Sequence, residues 1–181
     1  FSGSAYHKNC LSYDFYDSDA SSTTGFGYSV WDTNPSRSIN VYYYNCSAIN
    51  CRVGFNNYQF LVALFKNCLV QDGTDAWAYP LTATSGSTNN CSDISGDAPG
   101  ANARTADVTF VDAANADYHL ASSDTGALDR GADLSADAIM PFSNDIDGQT
   151  RAGTWDIGAD EYVGPTSTTT TVACENHFWY R

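Results

Sequence analysis

Lysine is nearly absent from this chain: only Lys8 and Lys66 stand in its 181 residues. With the arginines they make 8 cations against 21 Asp and Glu, a formal net charge of -13. Nucleic-acid binding requires clustered cations that release counterions, so that class of partner is excluded. Glutamate is as scarce, with only Glu161 and Glu175, so nineteen of the acids are Asp, a residue of turns and caps. One methionine and few strong helix formers leave a chain that reads as strand and loop. The longest apolar run, residues 60–65, is far short of the 18 or so needed to span a bilayer as a helix, so no membrane span is expected. There is no CxxC pair, which removes the usual zinc spacing. A signal peptide is not visible, and a start at Phe1 without an initiator Met is expected of a processed product or an excised fragment.

What is present begins with a repeat. Asn-Cys recurs at Asn9-Cys10, Asn45-Cys46, Asn67-Cys68 and Asn90-Cys91, closing the segments AYHKNC, VYYYNC, ALFKNC and GSTNNC. Counted from one cysteine to the next, the separations are 36, 22 and 23. Steps of 22 and 23 match one coil of a right-handed parallel β-helix, and the longer step is a coil with an insertion within residues 14–38. Coils stack about 4.8 Å apart in register, so like residues form columns. Asn9, Asn45, Asn67 and Asn90 are therefore expected to form a ladder in which each amide bonds its copies above and below. Residues 39–44, 52–55 and 59–65 are β-branched or aromatic runs and read as strands. The last of these, QFLVALF, is too continuously apolar to be half exposed. A hydrophobic fraction of 43% supplies a core for one domain.

Six cysteines, Cys10, Cys46, Cys51, Cys68, Cys91 and Cys174, form an even set, which with the low lysine content favours an oxidising, extracellular location. Stacked coils bring their Cα atoms within disulfide range, so Cys46, Cys68 and Cys91 are candidates either for a bridge or for a reduced stack. Cys174 would tie the end of the chain to its own coils or to a neighbour, and the pairing is left open by the sequence.

Acidity is confined to the second half. Residues 1–92 carry six acids and four bases, whereas residues 93–181 carry fifteen and four. Residues 163–171, VGPTSTTTT, read as a linker, with Thr168 to Thr171 suited to O-linked sugar. In the tail that follows, Val172, Phe178, Trp179 and Tyr180 need a groove or a partner, as in strand donation to a neighbour.

The most specific text lies in residues 108–162. Asp145, Asp147, Gly148, Arg151, Asp156, Ile157, Gly158, Ala159 and Glu161 fit a D-x-D-G-x-x-R … D-I-G-A-x-E pattern. Phe110, Asp112, Asp117, Tyr118, His119, Leu120, Ala127, Asp129 and Gly131 fit F-x-D … D-Y-H-L … A-x-D-x-G. Over this span the chain resembles the C-terminal end of bacterial surface and secreted proteins of the right-handed parallel β-helix, pectate-lyase-like class, choice-of-anchor type. The chain has fewer coils than such proteins usually carry. The resemblance implies a β-helix and an extracellular or cell-surface setting, and it implies no enzyme activity, because that end block is not catalytic.

The expected organisation is all-β: parallel β-helix coils over 1–107, a closing coil and cap over 108–162, a linker over 163–171 and an extended tail over 172–181. In the cap, built on Asp145, Asp147, Arg151, Trp155, Asp156 and Glu161, Arg151 should pair with Asp156, Asp147 or Asp145. Trp155, Ile157 and Tyr162 should cover the end of the last coil.

Chemistry is thin. Asp145-x-Asp147-Gly148 resembles the start of a calcium loop without its later ligands, so Ca²⁺ is a candidate there or at Asp72, Asp75, Asp93 and Asp97, and no other cofactor is expected. A lyase would need a base such as Lys66, Arg52 or Arg37, and a hydrolase paired carboxylates such as Asp72 and Asp75. His7, His119 and His177 show no metal spacing, and no catalytic residue is assigned. The leading expectation is a non-enzymatic extracellular structural or adhesive β-helix protein that self-associates, as a head-to-tail filament subunit. The alternative is a carbohydrate-active enzyme or carbohydrate binder stacking sugars on Tyr42, Tyr43, Tyr44, Trp77 and Tyr79.

Overall fold

A computed structural model describes residues 2–15, 25–31, 38–58, 61–78 and 85–164. Arg37, Tyr79, Cys174, His177 and the tail residues Val172, Phe178, Trp179 and Tyr180 lie outside them. The chain makes three full passes. The first is β1 (Ser2–Lys8), β2 (Leu11–Tyr13) and β3 (Phe26–Trp31), and the second is β4 (Ser38–Tyr44), β5 (Ser47–Ile49) and β6 (Val53–Tyr58). The third is β7 (Leu61–Lys66), β8 (Leu69–Gln71) and β9 (Asp75–Ala78). Each strand pairs in parallel with its counterpart one pass on, giving a first sheet β1-β4-β7 and a third sheet β3-β6-β9. The second sheet, β2-β5-β8, is extended by β10 (Cys91–Ser92) and β11 (Arg104–Thr105). An antiparallel pair, β12 (Phe110–Asp112) and β13 (Asp117–Leu120), encloses a 3₁₀ turn at Ala113–Asn115. The fold is all-β with parallel sheets, and no α-helix occurs among the described residues.

The corner after the first sheet explains the repeat. Lys8 pairs with Tyr44, Tyr44 with Lys66, Lys66 with Thr88 and Thr88 with Ala101, so the successive steps along the chain are 36, 22, 22 and 13. The next position is Asn every time: Asn9, Asn45, Asn67, Asn89 and Asn102, with φ of 49°, 49°, 55°, 53° and 53°. Asn is the side-chain-bearing residue that best tolerates this left-handed conformation. The fourth member of the column is thus Asn89, one residue before the position expected from the Asn-Cys text. Asn90 takes the cysteine position instead, fully buried. Its Oδ1 accepts the Cys68 N–H at 2.8 Å, and its Nδ2 donates to Phe65 and Pro99 carbonyls.

Inside the three sheets, rings stack at the pass repeat. His7, Tyr43 and Phe65 form one column at 4.8 and 5.1 Å, and Tyr28, Phe55 and Trp77 another at 4.8 and 5.5 Å. The columns meet edge to face, as at Tyr43 and Phe55, 5.0 Å apart and inclined by 65°. Residues 61–66 are less uniformly buried than their composition suggests: Ala63 and Phe65 face the interior, while Val62 is 38% exposed.

No disulfide joins Cys10, Cys46, Cys51, Cys68 and Cys91, which corrects the bridging expectation for all five described cysteines. Their thiols turn to main-chain carbonyls instead. Cys46 Sγ donates to Tyr44 O at 3.5 Å and Cys68 Sγ to Tyr43 O at 3.2 Å. Burial raises the Cys46 thiol pKa, which keeps it out of thiolate chemistry.

Residues 106–162 do not sit across the end of the stack. They run along its side. Val108, Leu120, Ala127 and Ile157 pack on Leu11, Ile49, Leu69 and Cys91, the outward residues of the second sheet. Leu134, Phe142 and Trp155 pack on Tyr44 and Leu64, outward on the first. These outward faces are apolar, so the flank cover removes apolar area from water. The asparagine column is bonded along this flank: Asn45 Nδ2 to Asp156 O and Gly158 O (both 3.0 Å), Asn67 Nδ2 to Ala132 O (2.8 Å), Asn89 Nδ2 to Arg130 O (2.8 Å). One ladder step joins neighbouring passes, Asn67 Nδ2 to Asn45 Oδ1 at 3.1 Å.

Candidate functional site

The D-x-D-G block is held by side chains that accept main-chain N–H groups. Asp145 Oδ1 accepts from Asp147 and Gln149, and its Oδ2 from Glu161 at 3.2 Å. Asp156 accepts from Asp129 and Tyr162, and Asp124 from Thr109, Ala127 and Leu128. Gly158, at φ 102°, is required because a Cβ there would come within 2.7 Å of Ser47 Oγ. Asp145 thus accepts three main-chain N–H groups, while Asp147 Oδ2 turns to His119.

Arg151 is the hub of this block, only 4% exposed. Its carboxylate partner is Glu161, at 3.1 Å, in place of the expected Asp145, Asp147 or Asp156. It also donates to the carbonyls of Gly158, Ala159 and Asp160 and to Asn9 Oδ1 at 3.2 Å, and lies over the Trp155 ring. Burial raises the pKa of Asp156 to about 6 against the N–H bonds of Asp129 and Tyr162, and raises Glu161 despite Arg151.

Beside the hub, the β12–β13 pair and the outward face of the second sheet enclose a cleft of about 450 Å³. Phe110 and Tyr118 pack edge to face at 5.4 Å, and Tyr118 meets Tyr13 at 5.1 Å. At the polar end His119 Nε2 lies 2.7 Å from Asp147 Oδ2, and Nδ1 bonds Asp117. Asp160 Oδ2 accepts the Leu120 N–H at 2.7 Å. His119, Asp147 and Asp160 bring one ligand atom each within 4.8 Å of one another, the only such trio with metal-binding geometry among the described residues. Burial opposes charge on His119, but the bonds to Asp117 and Asp147 and the charge of Asp160 prevail and raise its pKa to about 9. Protonated, the imidazole donates from both nitrogens and has no lone pair for a metal. Burial raises Asp160 to about 6, against the Leu120 N–H and the His119 charge.

A pH dependence follows. The His119 pKa is about 9 folded and about 6.5 in an unfolded chain, so its stabilisation is complete below pH 6.5 and lost as pH rises through 9. The urea midpoint should fall between about pH 6.5 and 8.5, and His119→Gln should flatten that decline. An unchanged slope in the variant would show that His119 does not carry it.

Several other sequence candidates have partners within the fold. Lys66 is paired with Asp137 and lies over the Tyr44 ring, so it is no free base. Of the sugar-stacking candidates, Tyr43, Tyr44 and Trp77 are buried, and half-buried Tyr42 stacks on exposed Tyr6. Asp93 Oδ2 accepts the Asp72 N–H at 2.9 Å and Asp97 Oδ2 the Ala76 N–H at 2.8 Å, so these acids cap the far edge of the stack. Asp160 was missed as a site residue because it occupies the variable position of D-I-G-A-x-E, where its identity carries no pattern. Tyr13 was missed because its strand is only three residues long.

The two ends of the stack differ. At the far end Ile94 and Ala98 pack onto the core. At the near end the interior residues Ala5, His7, Cys10, Tyr28 and Val30 are half-buried, while Val41, Tyr43, Cys46 and Phe55 one pass on are fully buried. Among the described residues nothing pairs with the outer edges of β1, β2 and β3. Comparison with protein-family models, with curated proteins and with solved structures returns no match, so the resemblance to β-helix surface proteins rests on the sequence motifs alone.

Proposed function

We propose that the protein is a non-enzymatic structural module of an extracellular or cell-surface assembly, a short right-handed parallel β-helix closed at one end and open at the other. The cyclic visits to three parallel sheets, the constant register and the shared ring columns support the β-helix reading. Fully buried Cys46 and Cys68 are shielded from oxidants, so they can stay reduced in an extracellular setting.

The observation that carries the function is the difference between the ends. Half-buried aromatic and aliphatic groups beside three edges that no described residue pairs form a surface that an additional coil completes. The occupant is a second copy of this chain, open face against open face. Capping of the far edge by Asp93 and Asp97 favours this closed pair over the head-to-tail filament. Light scattering after size exclusion should return twice the chain mass, and Val30→Asp, at a half-buried position, should return a monomer with unchanged circular dichroism. A wild-type monomer at every concentration would refute the pairing, and fibres in electron micrographs would restore the filament.

A further inference from the structure

We propose that the cleft between the second sheet and the β12–β13 pair binds an organic cation, a small amine whose apolar or aromatic body lies against Tyr13 and Tyr118. The volume of about 450 Å³ is that of a small-molecule pocket. Its walls are aliphatic on the sheet side, from Leu11, Ile49 and Leu69, and aromatic on the hairpin side, from Phe110 and Tyr118. Tyr13, 41% exposed, stands at the rim.

The polar end selects the sign of the ligand. Among the described residues, Asp117, Asp147 and Asp160 stand at this end with His119 as their cation, and Asp145, Asp156 and Glu161 surround Arg151 in the adjoining hub. Asp147 and Asp160 are each 8% exposed and line the cleft. Each uses Oδ2 for its bond, and Oδ1 accepts nothing from the described residues. An anion is repelled from this end, and a neutral ligand leaves the excess in place. An ammonium group reaches two nearly buried carboxylates while its body gains apolar and cation–π contact. A bare metal ion leaves the aromatic walls unused and must first displace the His119 proton.

The test is calorimetric titration of the full chain with tyramine, with 4-ethylphenol as the neutral analogue, 4-hydroxyphenylacetate as the anion and Ca²⁺ as the metal. Tyramine should bind at least about tenfold more tightly than 4-ethylphenol, and the anion should give no heat. Asp160→Asn keeps an acceptor for the Leu120 N–H while removing the charge, and should weaken tyramine about tenfold with an unchanged melting temperature. Tyr118→Leu should weaken both aromatic probes. Equal binding of tyramine and 4-ethylphenol would reduce the site to an apolar pocket, saturable Ca²⁺ binding without tyramine binding would make it a metal site, and flat traces for every probe would remove it. Each of those three results overturns the proposal. Because none of the probes reports on mass, failure here leaves the pairing of open faces to its own measurement.

Discussion

Replacing Arg151 with Met should cost about 3–5 kcal/mol of unfolding free energy, the usual loss when one member of a buried ion pair is removed. The guanidinium is enclosed and neutralises Glu161 at 3.1 Å. It also satisfies the carbonyls of Gly158, Ala159 and Asp160. Met fills much of the volume and supplies none of these bonds, leaving acids that are already reluctant to ionise without their one buried cation. The second change Glu161→Gln should recover part of the loss, because it removes the stranded charge. Urea denaturation of the wild type, the two single variants and the double variant checks both statements. A loss below about 1 kcal/mol for Arg151→Met would show that the surrounding acids take up protons and that the arginine is dispensable.

Asn67 should be nearly as sensitive, and in a way that separates two causes. Its side chain accepts the Ala132 N–H and donates to Ala132 O and Asn45 Oδ1, and its backbone is left-handed at φ 55°. Asn67→Ala strands a partly buried N–H and two acceptors and adds left-handed strain, for a combined loss of about 3–5 kcal/mol. Asn67→Gly loses the same bonds without the strain and should be the milder variant by about 1 kcal/mol. Denaturant midpoints for the pair decide the matter. Identical losses would mean that the backbone conformation costs alanine nothing, and negligible losses would mean that water replaces the flank contacts.

These two positions show what the sequence disclosed. The repeat was legible because the corner after the first sheet demands a left-handed residue in every pass, and Asn is the side-chain-bearing type that supplies it. The strands at 38–44 and 61–66 were legible because in-register stacking selects aromatic and β-branched side chains. The fourth copy was misregistered by one because Asn89 and Asn90 are adjacent and the Asn-Cys text selects the second, although a thiol and an amide can fill the same interior position. The flank was not legible. It is built from Asp side chains that accept main-chain N–H groups at separations from two to forty residues, and no periodicity records such bonds. The concentration of Asp in residues 93–160 was therefore visible while its use was not. Many of these acids serve as internal acceptors, with Asp124, Asp145, Asp156 and Asp160 all buried. The cleft was out of reach for a related reason: Tyr13 and His119 are more than a hundred positions apart in the chain.

The bonds between the asparagine column and the flank also bear on the order in which the molecule can be made. In a simple stack each layer depends on its neighbours alone, and the first layers off the ribosome can set before the last exist. Here Asn9, Asn45, Asn67 and Asn89 belong to four successive layers, yet residues 130–158 fasten all of them. The earliest layers stay provisional until the acidic segment has been synthesised and laid down beside them. Folding is thereby biased towards a single late event, slow for a chain of this length and all-or-none in both directions.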